Sequence, residues 1–62
     1  SCQFATLRMA MTVFGDIKKA RSWMSRPQKA LGEKSAFAVI ETAEGCELVQ
    51  ELLCQIDYGF LC

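Results

Sequence analysis

The sequence predicts an all-α fold, a small single-domain bundle of about four helices closed by a long C-terminal helix. Three observations carry that expectation. Apolar residues recur at three- and four-residue spacing along most of the chain, the period of one helix face. Glycine, proline and short polar residues stand where such stripes stop and start. Sixty-two residues also make a single domain, spanning 1–62, with too thin a core to support a second layer.

The first stripe is Phe4, Leu7, Met11 and Phe14, which predicts a helix near 3–14. Gly15 is its natural stop, because glycine takes positive φ without a Cβ clash. Asp16 is the N-cap of a second helix near 16–24, its carboxylate able to accept from free amides of the first turn. Ile17, Ala20, Trp23 and Met24 form the apolar side of that helix, and the stripe favours a core position for Trp23. Pro27 ends it by pushing the preceding residue out of the α region. Residues 26–34 read as a turn with a short helical piece around Leu31 and an exit at Gly32.

Ser35 is the next N-cap. The run Ala36–Ile40 fits helix or strand equally by periodicity, but a lone strand would have no partner, so a short helix near 35–41 is expected. Thr42 caps the last helix, near 43–58, with Glu44 in its first turn favoured by the helix dipole. Val49, Leu52, Leu53 and Ile56 are its expected buried stripe. Gly45 costs that helix about 0.5–1 kcal/mol relative to alanine, and early in a helix it more often admits a neighbouring backbone than a ligand. Tyr58-Gly59 closes the helix. Phe60 and Leu61 then either fold back onto the core or protrude as an anchor for a partner.

All seven Lys and Arg lie in residues 1–34 beside only Asp16 and Glu33, while residues 35–62 hold five acidic residues and no base. Basic and acidic helices packed side by side would account for that split. The basic half is short of the excess typical of nucleic-acid binders. Cys46 and Cys54 sit eight residues apart in one helix, about 12 Å along its axis, beyond the ~7 Å that a disulfide spans. Four free thiols in a reducing cytoplasm are expected, given where disulfides persist. No histidine and no closely spaced cysteine pair is present to bind zinc.

Catalysis is hard to build from these residues. A cysteine nucleophile lacks a histidine base, and Glu44, Glu47 and Glu51 at helical spacing read as a solvated face. No glycine-rich phosphate loop is present. The expectation is a cytoplasmic binding protein, not an enzyme, with no cofactor, no metal and no membrane span; the start at Ser1 without Met suggests a fragment of something longer.

The order of short motifs carries a resemblance. Val13-Phe14-Gly15-Asp16 is followed by Lys19-Ala20-Arg21-Ser22-Trp23-Met24, Arg26-Pro27, Ala30-Leu31-Gly32 and Lys34-Ser35. Glu41-Thr42, Glu44-Gly45, Leu48-Val49, Leu53 and Tyr58-Gly59 complete the series. Each is weak alone, but together, over residues 10–61, the chain resembles the toxin-binding domain shared by the Xre, MbcA and ParS antitoxins. Ala36 stands where that family usually has proline, and Gln28 where it often has asparagine.

The resemblance implies a fragment of a bacterial type II antitoxin that neutralises a RES-type, NAD-degrading toxin by occluding its active site with the C-terminal end. It implies toxin-binding roles for Arg26, Lys34, Gln55, Tyr58, Gly59, Phe60 and Leu61. Structural roles fall to Phe14, Gly15, Trp23, Pro27, Leu31, Gly32, Thr42, Gly45, Val49 and Leu53. Operator DNA would be bound only through a helix-turn-helix region outside this chain, and the intact protein would be able to form a homodimer. The alternatives are a DNA-binding or a dimerising helical module of a transcriptional regulator.

Overall fold

A computed structural model describes residues 1–58. Helix α1 (Cys2–Phe14) ends at Gly15, whose φ of 74° is the left-handed cap that glycine supplies. Asp16 follows in extended conformation and accepts from the Lys18 amide, starting α2 (Ile17–Ser25). Two short strands, β1 (Pro27–Gln28) and β2 (Lys34–Ser35), pair antiparallel with Pro27 opposite Ser35. A 3-10 turn, Lys29–Leu31, links them. Helix α3 (Ala36–Val39) is capped by the Ser35 hydroxyl, and α4 (Ala43–Tyr58) by Thr42, whose hydroxyl accepts from Gly45 N–H at 2.9 Å.

The helices and their order match the sequence expectation, while the small hairpin corrects the turn assigned to 26–34. It forms because the chain reverses through two successive left-handed residues, Gly32 (φ 68°) and Glu33 (φ 64°). The Glu33 amide then donates to the Gln28 carbonyl at 2.9 Å. Pro27, which has no N–H to give, sits at the start of a strand where a missing donor is tolerated.

Helix α1 packs on α4 and α2, α2 on α3, and α4 also on α3 and the 3-10 turn. The acidic α4 therefore takes α1, α3 and that turn as its main neighbours. Ala10, Ala20, Met24, Leu31, Ala36, Ile40, Cys46, Val49 and Leu53 make the core. Three alanines and Cys46 stand among larger aliphatic side chains there, so the helix axes can approach closely at those points. Trp23 is half-buried and packs against this core, its ring 5.6 Å from that of Phe14. Gly45 has no room for a Cβ because the Val39 backbone crosses directly over it.

Two expectations about burial fail, and one about the thiols. In α1 the inward residues are Thr6 and Ala10 with Met9 and Val13 beside them, whereas Phe4 is 65% exposed and Met11 is also outside. In α4, Ile56 is exposed and Leu52 only partly covered. Cys2 and Cys46 are joined by a disulfide, their Cα atoms 6.1 Å apart across 44 residues of sequence, so four free thiols is wrong. The antiparallel return of α4 along α1 brings the two first turns together, which spacing along the chain cannot reveal. Cys54 is likewise not a free thiol.

Candidate functional site

The outer side of α4 leaves large apolar side chains in solvent. Its inner side (Cys46, Val49, Leu53) is fully used against the core. That leaves Leu48, Leu52 and Ile56, spaced by four residues and therefore one above another along the helix. Leu48 is 54% exposed and Ile56 47%. Side chains this large and this apolar on one stripe form a ridge of the kind partners cover.

Hollows lie on both sides of Leu48. Toward the C-terminal half of α4, Ala30 and Leu31 of the 3-10 turn face Glu51, Leu52 and Gln55 around a hollow of about 160 Å³. Toward the N-terminal half, Lys34, Ala38 and Val39 face Thr42, Glu44 and Leu48 around one of about 380 Å³. The hairpin and α3 thus form one bank and α4 the other. Thr42 fixes the first turn of α4, and the glycine at position 45 lets α3 lie close enough to complete that bank. Exposed Glu44, Glu47 and Glu51 edge the ridge with negative charge.

Of the residues expected to bind a toxin, Lys34 and Gln55 both border hollows that Leu48 shares. Arg26 does not. It is the C-cap of α2 and borders a separate hollow with Phe14, Lys18, Ser22 and Trp23. Gly59, Phe60 and Leu61, with the Tyr58 side chain, lie outside the described residues. Leu48, Leu52 and Ile56 were not singled out as a contact surface from sequence. The signal was present: Cys46, Leu48, Val49, Leu52, Leu53 and Ile56 cover too wide an arc of one helix for the core alone to bury.

Among the described residues no group of His, Cys, Asp or Glu is placed to hold a metal ion. No helix among them is long and apolar enough to cross a membrane. A further hollow, of about 450 Å³, lies between α1 and α3, where Phe4, Leu7, Phe37 and Ile40 supply its apolar lining.

The model of the antitoxin Xre/MbcA/ParS C-terminal toxin-binding domain matches residues 9–59. The chain belongs to this family. It is similar to an antitoxin Xre of Pseudomonas putida, at 35% identity over 52 residues, covering 84% of this chain and 33% of the relative. An antitoxin Xre of Yersinia enterocolitica is 40% identical over 45 residues, 73% of this chain and 30% of the relative. The chain thus spans about a third of the length of these relatives. No solved structure gives a significant match.

Proposed function

We propose that this domain neutralises a RES-type, NAD-degrading toxin, with the ridge of α4 as the docking surface and residues 58–61 entering the toxin's active-site cleft. The observation that supports this most is the exposed stripe Leu48–Leu52–Ile56, which runs down α4 toward Tyr58. A partner seated on the ridge is thereby close to the end of α4 at Tyr58. Gln55 and Lys34, on the flanks of Leu48, supply polar contacts at the rim. The domain acts by binding in the cytoplasm, not by catalysis, and operator DNA is left to a region outside this chain.

The test is an NAD-consumption assay with the toxin and increasing amounts of the domain. Deleting residues 60–62 should leave the helical signal and the thermal midpoint almost unchanged while inhibition falls sharply. A truncated chain that melts early yet still inhibits would show that the tail belongs to the core and that the cleft is not filled by it. A gel shift with operator DNA should be negative for this chain alone; a specific shift would favour the DNA-binding reading through Lys18, Lys19 and Arg21 of α2.

A further inference from the structure

We propose that the Cys2–Cys46 bridge is a reversible redox clasp, which locks the first turn of α1 onto α4 when oxidised and releases it when reduced without dismantling the core. The two ends of the bridge are unlike. Cys2 lies in an exposed first turn at the edge of the fold, whereas Cys46 is 2% exposed in the first turn of α4. An incoming thiolate therefore has one sulfur to attack, that of Cys2, and one defined leaving group, that of Cys46.

The surroundings of Cys46 accommodate both states. Its sulfur lies 3.4 Å from the Ile40 carbonyl oxygen. In the bridge that sulfur has no proton to give, and Ile40 O accepts instead from the Gln3 amide at 3.3 Å. After reduction the Cys46 thiol has the same oxygen as a ready acceptor, so a buried polar group is not left unsatisfied. A carbonyl with two lone pairs serves either donor or both. The clasp can open without leaving behind the defect that would make opening irreversible.

What opens is local. Beyond the bridge, the first turn of α1 is held to the α3–α4 junction by the Gln3–Ile40 hydrogen bond. Phe4 beside it is largely exposed and contributes little packing. The next tie, from Gln50 to Thr6 at 2.9 Å, lies one turn further along. Reduction thus frees about one turn at the start of α1, while Thr6, Ala10 and the core behind them stay in place.

The chemistry balances with a dithiol as reductant. Its thiolate attacks Cys2 Sγ, the bond to Cys46 Sγ breaks, and Cys46 takes up a proton. The reductant's second thiol then displaces Cys2 from the mixed disulfide. The protein gains two electrons and two protons as two thiols, and the reductant becomes a cyclic disulfide. Closure is the reverse, driven by a low-molecular-weight disulfide as oxidant.

The experiment compares the whole chain with Cys2→Ser, Cys46→Ser and Cys54→Ser, each with and without dithiothreitol, following thermal midpoint, helical signal and alkylation of Cys2 by mass; the Cys54→Ser chain gives the part of the response that Cys54, itself disulfide-bonded, contributes. In the parent chain Cys2 should be protected from alkylation until dithiothreitol is added. The midpoint should then fall by on the order of 10 °C, with the helical signal at low temperature nearly constant and full recovery on reoxidation. Cys2→Ser, at an exposed position, should retain the fold, melt like the reduced parent and lose most of its response to reductant. The Cys46→Ser chain serves as a check on the buried side. A Cys2 that alkylates fully without reductant, or a Cys2→Ser chain that responds to dithiothreitol as strongly as the parent, would overturn the clasp. Loss of the helical signal on reduction would equally overturn it, since the bridge would then be a structural staple and not a switch.

Discussion

Gly45 and Val39 stand so close that the first has no space for a side chain. A Cβ built on Gly45 would overlap the Val39 carbonyl oxygen and come within 2.7 Å of its carbonyl carbon. Helix α3 is a single turn, and its end crosses the start of α4 at this point. The cost of glycine in a helix, about 0.5–1 kcal/mol, is therefore the cost of bringing α3 down to form one bank of the hollow beside Leu48. Gly45→Ala should destabilise the domain by about 1–3 kcal/mol or more, the range for overpacking, despite alanine's better helix propensity. Differential scanning calorimetry measures it, and an unchanged or higher midpoint would contradict the crossing.

Thr6 is fully buried, and its hydroxyl links two helices: it donates to the Cys2 carbonyl at 2.7 Å and accepts from the Gln50 amide at 2.9 Å. Thr6→Val keeps the shape and removes the hydroxyl. Gln50, only partly buried, recovers some of the loss from water, so a cost of about 1 kcal/mol is expected from the net worth of such a bond. Urea unfolding should show it as a lower midpoint with unchanged slope. A valine variant as stable as the parent would mean that the Thr6–Gln50 contact adds nothing.

These two contacts mark where sequence reading succeeds and where it stops. Helix ends are set by chemistry within three or four residues. Gly15, Asp16, Ser35 and Thr42 could therefore be placed from sequence, and each makes the cap expected of it. The close approach at Gly45 was readable too, since a helical glycine needs a reason. The inward face of α1 was not. That helix carries apolar residues nearly all round, so the stripe Phe4–Leu7–Met11–Phe14 is as periodic as the one actually used, and only the position of α4 selects Thr6 and Ala10. The hairpin strands have two residues each, too few for alternation to register. Cys2–Cys46 and Thr6–Gln50 span 44 residues each, and no local pattern encodes such pairings. The apolar ridge failed to appear for a related reason: Leu52 and Ile56 look like core until one sees which side of α4 is already occupied.

Met24 is the largest fully buried side chain among the described residues. It lies on α2, which packs on both α1 and α3, so its place cannot be filled without moving one of them. Met24→Ala should cost about 2–5 kcal/mol, the usual range for a buried methionine truncated to alanine. A domain of this size has roughly 3–9 kcal/mol in all, so a large unfolded fraction at 37 °C is expected. Trp23→Ala, from a half-buried site against Phe14, should cost less. Circular dichroism melts rank the two, and the reverse order would place the centre of the core at the Phe14–Trp23 pair.

Leu48 is the ridge residue that borders both hollows, and it is not among the residues packed on the core. Leu48→Asp should shift the melt by only a few degrees, since the side chain is already half in water. Binding to the toxin should weaken by roughly 30-fold, the equivalent of an interface anchor worth about 2 kcal/mol. Inhibition of NAD consumption should weaken in parallel. The added charge sits beside Glu44, Glu47 and Glu51, so part of the effect would come from field rather than lost contact. Leu48→Asn, which has no charge, isolates the contact and should retain most of the loss. Arg26→Ala is the control on the far hollow, expected to change affinity by less than about threefold, as rim charges mostly tune association rate. Isothermal titration of the three variants against one toxin decides between the faces. If Arg26→Ala abolishes binding while both Leu48 variants bind normally, the toxin sits on α2 and the α4 ridge must be covered by something else.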